Sequence, residues 1–202
     1  MTSRIQSRPR TKPAEERRDD LMNAAQELFL RQGVASTTIE QITTAAEVAK
    51  GTFYLHFTSK EDVLAALRQR FIEDFVEGLK TATAKRPKKD WKGKLSTWAQ
   101  ASITGYLDAV PLHDVVFHEF HPHAREQHND NLVADHLAAL LADGAADGAW
   151  SVDHPRLTAV FLFAGIHGIV DDALLAPPPI DRKRLIRKAQ EICFKAVGLA
   201  AD

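Results

Sequence analysis

Between Lys50 and Lys60 the sequence KGTFYLHFTSK spaces two ammonium groups, an imidazole and several hydroxyls around two phenylalanines. Phe53 and Phe57 lie at i, i+4, so a helix would bury both on one face together with Val48. With those rings inward, Lys50, Gly51, Thr52, Tyr54, Leu55 and His56 remain on offer. No nucleophile–base pair is among them. Their chemistry is recognition. Lys50 can reach a base edge or a phosphate, and the hydroxyls of Thr52 and Tyr54 suit phosphate oxygens. Gly51, with no side chain, lets a backbone approach closely. Lys60 adds a charge beside the N-terminus of the next helix, whose free N–H groups attract an anion. The plainer alternative keeps Tyr54 and His56 as packing residues.

A second candidate is the histidine-rich stretch His113, His118, His121, His123, His128 and His136. His118 and His121, at i, i+3, would share a helix face, with Glu119 adjacent. A metal centre needs three or four converging ligands, and no intact H-E-x-x-H is present. The expectation is therefore no metal and no cofactor, with the histidines solvated or capping helix ends. His121 and His167 are better placed to hydrogen-bond a ligand inside an apolar pocket. Candidates for its walls are Trp98, Ile103, Tyr106, Phe117, Phe120 and Phe163. A metal-dependent hydrolase built on the His113–His136 stretch is the alternative activity, and a helical adaptor without nucleic-acid binding is another.

The elements that must position these groups are helical. Leu21, Ala24, Ala25, Leu28 and Phe29 make one apolar stripe, and Gly33 suits the helix end behind them. Thr37 with Glu40, and Thr38 with Gln41, have capping-box spacing, so a short helix begins near Thr38. A second short helix runs from Ala49 to about Phe57, and Ser59 caps a long one with Glu61 and Asp62 in its first turn. Two short helices across a tight turn, braced by longer ones, make a helix-turn-helix. Further on, Trp91 to Val110 is helical and ends at Pro111. Asn131 to Leu141 is helical, and Asp143 to Gly148 is a loop. Leu157 to Leu175 is helical and apolar on nearly every face, which implies burial on more than one side. Ile180 to Leu199 closes the chain, with Leu185, Ala189, Ile192 and Ala196 as a contact stripe. The fold class is all-α, about nine helices.

Composition narrows the function classes. Lys and Arg number 26 against 27 Asp and Glu, a formal charge of −1, which argues against an undirected polyanion binder. The basic groups Arg4, Arg8, Arg10 and Lys12 nevertheless gather in residues 1–13, a flexible arm. One cysteine, Cys193, gives no disulfide framework. The N-terminus lacks the apolar core of a signal peptide, and the longest apolar run, Ala159 to Val170, is too short for a bilayer. A cytoplasmic location without membrane contact is expected.

Lys50-Gly51-Thr52-Phe53-Tyr54-Leu55-His56-Phe57, followed by Ser59-Lys60-Glu61, resembles the DNA-binding domain of TetR/AcrR-type transcriptional regulators. The likeness covers Ala14 to Asp74. It implies a helix-turn-helix domain over 14–60, a linking helix over 61–85, and a ligand-binding and dimerisation domain over 86–202. It further implies a homodimer through the last two helices, double-stranded operator DNA as partner, and release by a small-molecule effector, most often from repression. DNA contacts would come from Thr37, Thr38, Lys50, Gly51, Thr52, Tyr54, Leu55, His56 and Lys60. Two departures stand out. Glu47 occupies a turn position where many members have Gly, and Ala49 stands where many have a Ser or Thr cap.

Overall fold

The computed structural model describes residues 13–118 and 131–200. The basic arm before Pro13, together with Glu119, Phe120, His121, His123 and His128, lies outside the described residues. Eight helices and no strand occur among those described. They are α1 (Ala14–Gln32), α2 (Ile39–Ala45), α3 (Lys50–His56), α4 (Lys60–Ala84), α5 (Trp91–His118), α6 (Leu132–Ala146), α7 (Pro155–Leu175) and α8 (Arg182–Ala196). The described residues form two compact units. One comprises Pro13 to Gln69 with the stretch from Pro111 to His118; the other takes the rest.

In the N-terminal unit, the α1 stripe of Leu21, Met22, Ala25, Leu28 and Phe29 is buried, as are Ile42, Phe53, Phe57, Val63, Leu64 and Leu67. Each such large side chain contributes on the order of 2 kcal/mol by leaving water. Local rules start the helices. Thr38 accepts from the Gln41 amide at 3.2 Å while the Thr38 amide donates to Gln41 Oε1 at 2.9 Å, a complete capping box. Ser59 Oγ accepts from the Asp62 amide at 3.2 Å, and the Asp62 carboxylate accepts from the Thr58 amide at 2.9 Å.

Pro111 does not stop α5, which continues to His118. An interior proline costs about 3 kcal/mol. Burial of His113, Val115 and Val116 beyond it offsets that cost.

In the C-terminal unit, Trp98, Ile103, Leu137, Leu141, Leu162, Val170 and Cys193 belong to one buried cluster. Burial pushes the Cys193 thiol up to about 12, so the thiolate is scarce. Helix α6 runs on to Ala146, into the segment expected to loop, and turns at Asp147 and Gly148. Trp150 explains the extension. Its indole donates to the Leu141 carbonyl at 2.8 Å, and a Cβ at Gly144 would stand only 2.2 Å from its ring. The Trp therefore folds back onto the last turns of α6, and glycine there is a packing requirement.

Helix α7 also exceeds its expected reach. It starts at Pro155 and has 21 residues, long and apolar enough to cross a membrane by length and composition. Within one chain it is buried on one side only, through Ala159, Leu162, Ile166 and Val170. Leu157, Val160, Phe161, Leu174 and Leu175 are exposed. Burial on more than one side, expected from the sequence, is thus not met by a single chain.

Candidate nucleic-acid interface

Helix α3 divides cleanly into two faces. Phe53 and Phe57 are buried, with ring centroids 5.9 Å apart. Arg18 of α1 lies over the Phe57 ring at 5.2 Å, closing the rear of the helix. On the opposite face Lys50, Gly51, Tyr54 and Leu55 are exposed, a set at i, i+1, i+4, i+5. Tyr54 is 55% exposed and Leu55 78%. Phe53 meets the Tyr54 ring edge-on at 5.4 Å and so braces it from behind. Thr52 and His56 flank this face, half-buried. A Cβ built at Gly51 meets nothing within 4 Å, so the free fold does not require glycine there. An exposed leucine flanked by a lysine and a tyrosine on a rigid short helix is suited to polar and methyl groups of a base-pair edge.

Thr37, Thr38 and Lys60 are placed differently. Thr38 is exposed at the start of α2, with its hydroxyl in the capping box. Thr37 is 1% exposed, and its hydroxyl donates to the Gly33 carbonyl at 2.8 Å. That corrects its expected place on the contact surface. Lys60 points away from open solvent into the α1–α2 turn. Its ammonium donates to the carbonyls of Val34 at 2.8 Å and Thr37 at 2.6 Å. In the free chain these bonds tie α4 to the turn. Gln32 joins the same knot, donating to Gln41 Oε1 at 3.1 Å. Sequence reasoning missed both, because neither spacing is local.

The family described as "Bacterial regulatory proteins, tetR family" matches residues 21–67, which contain α2, α3 and the Lys60 bonds. Residues 21–67 thus carry a TetR-family regulatory domain. A 67-residue stretch is 45% identical to the HTH-type transcriptional regulator TcmR of Streptomyces glaucescens, covering 33% of this chain and 30% of that protein. The chain spans less than half the length of the first curated relatives it matches. The fatty acid degradation regulator FadR of Bacillus halodurans superposes with a TM-score of 0.72 at 22% identity, over 96% of this chain and all of that one. FadR of Bacillus subtilis, solved with stearoyl-CoA, superposes at 0.71 and 22% identity, over 89% and 98% of the two chains. These two likenesses establish the fold.

The turn between α2 and α3 carries a strained residue. Helix α2 ends with Val48 donating to the Thr43 carbonyl at 3.0 Å and Glu47 to that of Thr44 at 3.1 Å, a Schellman end. The same pair of bonds closes α6 and α8. There the left-handed position is Gly148, at φ 74°, or Gly198, at φ 77°. In the turn it is Glu47, at φ 54°. Helix α3 then starts at Ala49 without a side-chain cap.

In the C-terminal unit, three of the expected pocket residues converge. Tyr106 and Phe163 meet the His167 ring at 4.9 and 4.4 Å between centroids. The Tyr106 hydroxyl donates to Asp171 at 2.5 Å. Burial holds His167 below its ordinary pKa, against the raising effects of the Phe163 carbonyl and Asp171. Trp98 and Ile103 are fully buried core residues. Phe117 belongs to the N-terminal unit, where its ring lies tilted against His113 at 4.7 Å between centroids. A groove of about 240 Å³ lies elsewhere, between the end of α7 and α8, against Pro177, Ile180 and Leu185.

Proposed function

We propose that this protein is a dimeric transcriptional regulator that reads a near-palindromic operator with α3 and is released by a small-molecule effector. The observation that carries the reading is the two-faced α3. Phe53 and Phe57 anchor it, while Lys50, Gly51, Tyr54 and Leu55 face outward. Thr52 and His56 flank that face, and with Thr38 at the start of α2 they supply the backbone contacts. Two copies would set two such helices into successive major grooves, about 34–36 Å apart. An effector that favours a different spacing shifts the population away from the operator-bound form.

The effector is assigned to the C-terminal unit. Trp98 Nε1, Ser102 Oγ and His136 Nδ1 are buried there and have no hydrogen-bond partner among the described residues. Buried polar atoms favour a partner, and a ligand with acceptor groups supplies one. The exposed apolar side of α7 supports pairing of two chains through the last two helices.

Selection of duplexes from a random pool tests the reading. A two-fold symmetric site should emerge, and its affinity should fall with salt at a log–log slope of roughly −0.9 per neutralised phosphate. Recovery of no preferred sequence, with binding indifferent to salt, would overturn it.

A further inference from the structure

Among the described residues outside the α3 face, one cluster of titratable groups has the composition of a metal site. His113, Asp114 and His118 lie at the C-terminal end of α5, in the N-terminal unit, with one ligand atom from each within 4.8 Å of the others. Asp114 Oδ1 stands between two imidazoles, 3.7 Å from His113 Nδ1 and 3.9 Å from His118 Nε2. Both separations exceed an N–H···O hydrogen bond, which runs to about 3.2 Å. Both are close to what a metal demands. With bonds of about 2.0–2.1 Å, a tetrahedral zinc ion holds its ligand atoms roughly 3.3 Å apart.

The helix supplies this placement. Asp114 and His118 are one turn apart at i, i+4 and share a face. His113 is buried, and its ring packs on Phe117 at 4.7 Å, so one ligand is already fixed. Asp114 and His118 are exposed, so their side chains can close by rotation about single bonds. Their open side leaves a fourth position for water. The Arg68 guanidinium lies over the Phe117 ring at 4.8 Å. The sequence pattern suggested His118 with His121; the fold brings together His118, Asp114 and His113.

We infer that His113, Asp114 and His118 bind one divalent transition-metal ion of the zinc or cobalt(II) type. The inference rests on this geometry and is independent of operator binding. The test uses the full chain, stripped with chelator and titrated with zinc alone by calorimetry, then with cobalt(II) followed by its visible ligand-field bands. One equivalent should bind, and zinc should raise the unfolding midpoint. Asp114→Asn and His118→Ala, both at exposed positions, should each weaken binding at least ~10-fold and remove the thermal shift. A variant carrying His121→Ala, His123→Ala and His128→Ala should bind as the parent does. The inference is overturned if no zinc binds, if Asp114→Asn and His118→Ala leave binding unchanged, or if only the triple variant loses it.

Discussion

The Lys60 ammonium lies 2.6 Å from the main-chain carbonyl of Thr37, pinning the start of α4 to the turn that launches α2. A second bond to Val34, at 2.8 Å, completes the pin. Hydrogen bonds made by a charged group contribute about 1.5–3 kcal/mol each, less where water competes. Lys60→Ala should therefore lower the unfolding midpoint of the N-terminal unit, and lower operator affinity only as far as the fold loosens. The slope of affinity against salt should stay that of the parent. A variant of unchanged stability whose salt slope falls by about 1 would show that Lys60 leaves the turn for a phosphate.

Lys50 and Tyr54 stand on the same exposed face but present different chemistry. In the proposed reading Lys50, in the first turn of α3, meets a base edge and Tyr54 a phosphate oxygen. Lys50→Ala should change which duplexes are preferred, with a loss of about 1–3 kcal/mol on the best site. Tyr54→Phe should weaken all sequences alike, because the ring stays braced on Phe53 while the hydroxyl goes. Parallel selections with parent and variants, followed by titration on fixed duplexes, separate the two. Identical preferences in Lys50→Ala and the parent would remove Lys50 from base reading.

Three helices here end with the same pair of backbone bonds, and two of them place glycine at the left-handed position. Glu47 is the third, at φ 54°. A side chain in that conformation costs roughly 1 kcal/mol. Its carboxylate is also exposed in the turn just before α3. Glu47→Gly should stabilise the N-terminal unit by up to about 1 kcal/mol and tighten DNA binding, most at low salt. Chemical denaturation with unchanged slope reads the first effect, and titration at two salt concentrations the second. A destabilised variant would mean that the side chain is held by more than the turn.

The helix-turn-helix was legible because its signals are local. Capping residues sit three apart, Phe53 and Phe57 four apart, and each spacing has one dominant structural consequence. Where the sequence misled, the deciding partner was distant. Lys60 reads as a surface charge until the carbonyls of Val34 and Thr37, more than twenty residues away, are placed beside it. Pro111 reads as a stop until the burial of Val115 and Val116 is known. The Gly-rich end of α6 reads as a loop until Trp150 folds onto Gly144. Tyr106, Phe163 and His167 were legible as a type of residue, aromatic and apolar, but their convergence needed α5 and α7 side by side.

Two histidines make stability depend on pH. Burial lowers the pKa of His167, and burial followed by the charge of Lys80 lowers that of His136. In the unfolded chain each returns to its ordinary value near 6.5. Below that value the unfolded state takes up protons that the folded state resists, so stability falls as pH drops through it. Above it the penalty is absent. The unfolding midpoint should therefore decline between about pH 7.5 and pH 5.5. The double variant His136→Gln, His167→Gln should decline less steeply. Equal slopes in parent and variant would assign the acid sensitivity to other groups.

The final expectation concerns α7. Its buried side, Ala159, Leu162, Ile166 and Val170, is spent on its own chain. Phe161 is 71% exposed, and Leu157, Val160, Leu174 and Leu175 are exposed on the same helix. Gly165 and Gly168 carry no neighbour within 4 Å of a built Cβ, which leaves room for another helix to approach closely. On α8, Ile192 is exposed beside buried Ala189 and Cys193. A bilayer would accept this apolar face, but Asp171 and Asp172 are exposed on the last turns of the same helix. A second chain accommodates both, with the apolar residues in the seam and the carboxylates at its rim. Phe161→Glu would put a charge into that seam. The parent should sediment as a dimer without lipid, and the variant as a monomer that keeps its helical spectrum and loses most of its affinity for a two-fold symmetric duplex. A parent that sediments as a monomer, or that partitions onto vesicles, would exclude the seam and leave the face to another partner.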